Sequence, residues 1–188
     1  MSKISRAIAE LIWGVNKEYI TSYKQLVNLA EEAIDNVNVK VYRDNDKAVL
    51  PAYSKDGDAC MDVTTISIEY DDKRNRFICH TGLHFELPED YEMIIRPRSS
   101  NTKFRVVIAN APGTLDGGYR GELLVIFTPL DADNISSFPY KEGDRVCQIL
   151  VRRREKIHWV EVDSLEDLGS TDRGTGGFGS TGGIEKEK

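Results

Sequence analysis

A chain of 188 residues, 40% hydrophobic and 30% charged, has the length of one ordinary domain with an appendage, which excludes two full domains and a wholly disordered protein. Its formal charge of -6 excludes a general nucleic-acid binder, because counterion release needs a surface rich in Lys and Arg, and no apolar run approaches the ~18 residues that cross a bilayer. Three widely spaced cysteines, Cys60, Cys79 and Cys147, suit neither a disulfide framework nor a CxxC site and point to a reducing cytoplasm.

Residues 1–36 are expected to form a helical extension. Arg6 and Glu10 interrupt "MSKISRAIAELIWGV", and no small-residue cleavage site follows, so the stretch reads as a helix and not as a leader. In "SYKQLVNLAEEAID", Leu26, Val27, Leu29, Ala30, Ala33 and Ile34 recur every three or four residues, with Thr21 or Ser22 as a cap. From Val37 the period shifts to two. "VNVKVYR", "RFICHTGLHFEL", "YEMIIRPR", "FRVVIAN", "GELLVIF" and "RVCQILVRR" are predicted strands, separated by turn signals in "YDDKRN", "LPED", "LDGG" and "KEGD". Many short strands without intervening helices predict an all-β domain over residues 37–162, a sandwich or barrel of the jelly-roll kind. Residues 163–188 turn polar and lose all periodicity, the composition of a flexible C-terminal arm.

Several segments can carry chemistry. In "IIRPRSSNTKF" a strand delivers Arg96, Arg98, Ser99 and Ser100 at its end, and cations with hydroxyls and turn amides hold phosphate oxygens; solvated arginines before a serine turn are the plainer reading. "IANAPGTLDGGYRGELLVIF" places Asp116 and Tyr119 around two glycines in what reads as a hairpin with a tight turn. "EGDRVCQILV" sets Asp144 and Arg145 in a charged turn, with Gln148 on the strand that follows. "RGTGGFGSTG" joins one cation, one ring and two hydroxyls to five glycines, whose amides can wrap an anion, although no strand or helix frames them as in a Walker-type loop. The histidines offer no site: His80 and His84 lie ~13 Å apart if "CHTGLHF" is a straight strand, and His158 beside Trp159 reads as packed.

In this order, "LPAYSKDGDACMDV", "RPRSS", "NAPGTLDGGYRG", "GDRVCQ" and "RGTGGFGSTG" resemble the five motifs of the trimeric deoxyuridine triphosphatases (dUTPases), over residues 50–182. The resemblance implies a distorted jelly roll or β-barrel and hydrolysis of dUTP to dUMP and pyrophosphate. Asp116 would activate the water that attacks the α-phosphorus. Arg98, Ser99, Ser100 and Gln148 would contact phosphates, and Asp62 would support a hydrated Mg²⁺ through water, the ion otherwise being held by substrate phosphates. Tyr119 would lie under the deoxyribose, and Asn110 with the backbone near Gly113 would bind uracil. In the arm, Phe178 between Gly177 and Gly179 would stack on the base, while Arg173, Ser180 and Thr181 would close over the γ-phosphate. The resemblance also implies a homotrimer with shared sites, located in the cytoplasm of a cell or of a phage's host.

The chain departs from the family pattern at Cys60, where a glycine is usual, in "SSNTKF", and in "GTLD". The residues before 37 lie outside the family's minimal domain, as a clamp on the trimer or a surface for a protein partner. A dCTP deaminase shares the fold but carries a glutamate ten residues after the aspartate, where this chain has Ile126. A non-catalytic module of the same fold is the third reading, against which stand Asp62, Ser99, Asp116, Tyr119, Gln148, Arg173 and Phe178, all present.

Overall fold

The computed structural model describes residues 36–131 and 138–176; the helices expected within residues 1–36, and Gly177, Phe178, Gly179, Ser180 and Thr181, lie outside the described residues. The chain divides into two compact units between Arg154 and Glu155. The first unit is all-β, as the period of two predicts. Its strands are β1 (Lys40–Arg43), β2 (Met61–Thr64), β3 (Ser67–Asp71), β4 (Arg76–Glu86), β5 (Tyr91–Arg96), β6 (Val106–Ile108), β7 (Gly113–Leu115), β8 (Glu122–Pro129) and β9 (Arg145–Arg153).

The strands form two antiparallel sheets. In the first, β4 pairs with β8 along one edge, β6 continues beyond β8, and β3 and β1 share the other edge of β4 end to end. The second runs β2-β9-β5-β7. Alternation decides which side chains face inward. Phe77, Cys79, Leu83, Phe85, Leu123, Val125 and Phe127 from the first sheet join Val63, Met93, Ile95, Leu115, Cys147 and Ile149 from the second in one core. Burial alone pushes the Cys79 thiol up to about 12, apart from a small opposing contribution from Thr65, and burial likewise raises Cys147. Both therefore serve as packing groups and not as reactive thiols.

β4 is irregular at its centre. Gly82 has φ +65°, and a Cβ there would lie 2.9 Å from both Asp44 Oδ1 and Ile66 Cδ1, so only glycine fits. The register with β8 slips between His80 and His84. Glu122 Oε1 fills the gap, accepting from the amides of Thr81 and Gly82 at 2.8 Å each. β4 is thus not the straight strand on which a ~13 Å separation of its histidines was reckoned.

The segment carrying Asp116 is not a tight hairpin. β6 and β8 are the paired strands, and the residues between them leave that sheet so that β7 can pair with β5 in the other. Sequence periodicity cannot separate these cases, because a short strand reads alike whichever sheet receives it. The departures in "GTLD" and "SSNTKF" have local explanations. Thr114 is exposed on β7 between buried Gly113 and Leu115. In "SSNTKF", a 3-10 turn over Ser99–Lys103 buries Asn101, whose Oδ1 accepts a 2.6 Å bond from the Tyr140 hydroxyl.

In the second unit the described residues hold a 3-10 turn over Glu166–Leu168 and no strand. Near its described end the chain turns back at Gly174, with φ +49° and its amide 3.0 Å from the Thr171 carbonyl. Arg173 Nε donates to the Gly176 carbonyl at 2.9 Å.

Candidate active site

Two groups of the expected site residues are assembled within the first unit. The first centres on Asp62. β2 and β5 lie on either side of β9, so Gln148 has Asp62 as its partner across one edge and Arg96 across the other, and cross-strand partners share a face. Asp62 Oδ1 accepts from Arg98 Nε at 2.8 Å; Oδ2 accepts from Arg145 Nη1 at 2.8 Å and Ser54 Oγ at 2.9 Å. Arg98 Nη1 also donates to the Arg145 carbonyl at 3.0 Å, and Gln148 Nε2 to that of Pro97 at 2.9 Å. Burial works to raise the Asp62 carboxyl, but the Ser54 bond and the two guanidinium groups prevail and hold it below the usual carboxylate range. Ser99, exposed, and Ser100, half-buried, open the 3-10 turn immediately after Arg98.

Sequence reasoning assigned Arg145 only a structural place in its turn and passed over Ser54. Neither has a local signal, since each meets Asp62 only after β2 and β9 have paired. The backbone at Cys60 avoids the cost that a missing glycine could bring: among the described residues Asn75 is the one non-glycine at positive φ. The described residues contain no cluster of three His, Cys, Asp or Glu that could hold a metal unaided. An ionised carboxylate offers about four acceptor sites, and Asp62 uses three of them. One remains for an outer water, which fits a hard, hydrated cation carried mainly by phosphate oxygens.

The second group lies on the excursion between β6 and β8. Asp116 is exposed beside a cleft of about 590 Å³, shared with Tyr91, Glu92, Gly117, Gly118 and Arg120. Its backbone carbonyl closes the turn on the Tyr119 amide at 3.0 Å, while its carboxylate makes no hydrogen bond or ion pair with a described residue. Gly117 packs its α-carbon against the chain, for a Cβ there would stand 3.4 Å from the Tyr91 carbonyl oxygen. The Tyr119 ring lies over Gly121, where any side chain would collide with it, and its hydroxyl donates to the Glu122 carbonyl at 3.1 Å. Asn110 is exposed at the other end of β7, its Nδ2 against buried Gly113.

Asp116 and the Arg98–Ser99 segment stand at opposite ends of β5. Leu115 pairs with Met93, so Asp116 falls level with Glu92 near the start of that strand, whereas Arg98 and Ser99 follow its end. Six residues of extended chain span about 20 Å. One water and one phosphate group cannot bridge that distance.

The dUTPase family model matches residues 46–182. A deoxyuridine 5'-triphosphate nucleotidohydrolase of Alkaliphilus metalliredigens is 42% identical over 146 residues, covering 77% of this chain and 97% of the relative. This chain belongs to the dUTPase family. A dUTPase-family relative in Thermobifida fusca, of the same name, is 38% identical over 148 residues, covering 78% of this chain and 80% of its own length. Among solved structures, a mutant of the dUTPase of Staphylococcus bacteriophage 80alpha with dUpNHpp superposes with a TM-score of 0.63 at 20% identity, over 77% of this chain and 98% of that one. A mutant of the dUTPase of phage phi11 of S. aureus, described with a structural Mg(II) ion, gives 0.57 at 19% identity, over 69% and 99%. Both likenesses place the two sheets in the dUTPase fold.

Proposed function

We propose that this protein hydrolyses dUTP to dUMP and pyrophosphate at a site shared between subunits of a homotrimer. The observation that carries the reading is the exposed carboxylate of Asp116, unpaired among the described residues, beside a cleft it shares with Gly117 and Gly118, in a chain of the dUTPase family. A carboxylate that no described residue uses is available to a water, and phosphoryl transfer asks chiefly for positioning and neutralised charge. Asp116 orients the water and takes its proton as the oxygen bonds to the α-phosphorus. The bond from that phosphorus to the bridging oxygen breaks, and pyrophosphate leaves.

Arg98, Ser99, Ser100 and Gln148 bind phosphate oxygens. Asp62 sets the direction of the Arg98 and Arg145 guanidinium groups, as its three bonds indicate, and its remaining acceptor site would hold a water of a hydrated Mg²⁺. The ion, when bound with the substrate, neutralises charge on the triphosphate. Tyr119 supports the deoxyribose and excludes a 2'-hydroxyl; Asn110 and the backbone at Gly113 take the uracil edge and leave no room for a 5-methyl group. Phe178, flanked by Gly177 and Gly179, stacks on the base, and Arg173, Ser180 and Thr181 close on the γ-phosphate. A hard ion and a nucleotide substrate suit the reducing cytoplasm inferred from the cysteines. Residues 1–36 are read as a helical extension that clamps the trimer or meets a protein partner, 37–162 as the β domain and 163–188 as a flexible arm.

The separation of about 20 Å along β5 supports the shared site, because Asp116 of one subunit can then face Arg98 and Ser99 of another. The deaminase reading lacks its acid: Ile126 occupies the position and pairs with Ile78 inside the first sheet. Incubation with Mg²⁺ and dUTP, dCTP or dTTP separately, with pyrophosphate and ammonia measured, tests the proposal. Pyrophosphate from dUTP alone is expected; ammonia from dCTP, or no turnover, overturns it.

A further inference from the structure

His84, which the chemistry above does not use, has both ring nitrogens engaged. Nδ1 lies 2.9 Å from the Arg120 carbonyl oxygen and Nε2 3.0 Å from Asp44 Oδ2. A carbonyl and an ionised carboxylate only accept, so both contacts are hydrogen bonds only when both nitrogens carry protons. Neutral imidazole has one N–H and must give up one partner.

The partners belong to separate parts of the fold. Asp44 follows β1 and is fixed against the Gly82 kink, its amide 3.1 Å from the Gly82 carbonyl and its Oδ1 filling the space a Cβ would need. Arg120 follows Tyr119, and its guanidinium Nη1 folds back to donate to the carbonyls of Gly117 at 2.7 Å and Tyr119 at 2.8 Å. Arg120 therefore braces the turn that presents Asp116, and His84 ties Arg120 to the sheet.

Other groups face the ring. Tyr42, its partner on β1, has its ring centroid 5.8 Å away. Glu122, its partner on β8, contributes charge while its oxygens bind His80, Thr81 and Gly82. Glu86, two residues along β4, is paired with Lys40 at 3.1 Å. The bond to Asp44 first, then that to the Arg120 carbonyl, raise the His84 pKa above its ordinary 6.5, against a smaller opposing effect of burial.

We propose that His84 is a positioning residue for dUTP hydrolysis: as an imidazolium it clamps Arg120, and with it the turn of Asp116 and Tyr119, to the segment after β1, and on losing its proton it releases that clamp. The inference rests on the hydrolase reading given above. It predicts a loss of activity as pH rises, separate from the loss at low pH that protonation of a carboxylate base causes.

The test follows kcat and KM for dUTP between about pH 5 and 9 in the full-length protein, beside an NMR titration of its labelled histidine rings. In the wild type, activity is expected to decline with a midpoint above 6.5 that coincides with the His84 ring titration. His84→Asn, whose amide nitrogen reaches toward the Arg120 carbonyl but offers Asp44 no second donor, should show at every pH the lower activity that the wild type reaches on the alkaline side, with no alkaline decline of its own. His84→Ala should lose about tenfold in kcat/KM on the acid side of the midpoint, the loss of one hydrogen bond to a charged group. Asp44→Asn leaves the ring in place and should move both midpoints to lower pH, so the proposal stays testable if His84→Ala does not fold. An alkaline decline that persists in His84→Asn, or a His84 midpoint at or below 6.5, overturns the positioning role alone. Absence of dUTP turnover at every pH overturns the hydrolase reading, and this inference with it.

Discussion

Asp62 and Asp116 are both expected site carboxylates, and the fold treats them in opposite ways. Asp62 is fixed by Ser54, Arg98 and Arg145 and is only 17% exposed. Asp116 is exposed, unpaired among the described residues, and held only through the backbone of its turn. A carboxylate that neutralises arginines lends them direction but has little basicity left, because hydrogen bonds to the charged form stabilise it. One that is left alone can accept a proton. Under the proposed mechanism the contrast divides the work: the Asp62 end of β5 would organise cations for phosphate, and the Asp116 end would supply a base.

The largest expected effect is at Asp116. Asp116→Asn should lower kcat by roughly 10²- to 10⁴-fold, the usual share of a general base, with dUTP binding by calorimetry and the melting temperature little changed. Loss of binding instead would place Asp116 among the structural turn formers and erase the contrast. Mixing then tests whether the two ends serve one site. An Asp116→Asn protein and an Arg98→Ala protein, each nearly inactive, should recover on unfolding and refolding together to about a quarter of wild-type activity, the share of randomly assembled two-subunit sites with both residues intact. No recovery, with mixed trimers verified by mass spectrometry, would mean that each protomer uses its own two ends.

How far the sequence disclosed this division depends on how local each feature is. The β-rich core was legible because alternation fixes burial residue by residue, as in "RFICH", where Phe77 and Cys79 point inward. The candidate site residues were legible through the ordered motifs. The partition of Asp116 and Arg98 to opposite ends of β5 was not, because it follows from which sheet receives Gly113–Leu115, and a three-residue strand carries no signal of its partner. For the same reason Arg145 read as a turn residue and His84 as an unremarkable strand polar group. Each acquires its partners across more than 30 positions of sequence, Arg145 at Asp62 and His84 at Arg120, and no periodicity encodes such a meeting.

A smaller effect separates the two carboxylates by stability. Asp62→Ala leaves two guanidinium groups without their acceptor in a half-buried setting and should destabilise the fold by about 1–3 kcal/mol in chemical denaturation, while Asp116→Ala should change it by less than about 0.5 kcal/mol, as exposed unpaired groups do. Equal losses would contradict the assignment of Asp62 as the organising group.

The smallest expected effect is in the acid response. The folded Asp62 pKa lies below its ordinary 3.8, so the unfolded chain binds the proton more readily than the native one. Its contribution to stability is therefore complete above 3.8 and is lost as pH falls through the folded value, the unfolded state gaining protons first. Asp62→Asn keeps the shape but removes the titration, so the wild type should lose stability over that acid window more steeply than the variant. Melting temperatures measured in steps from neutral pH into that window would decide it: parallel curves for the wild type and Asp62→Asn would show that the arginines, and not the carboxylate between them, carry the electrostatics of that end.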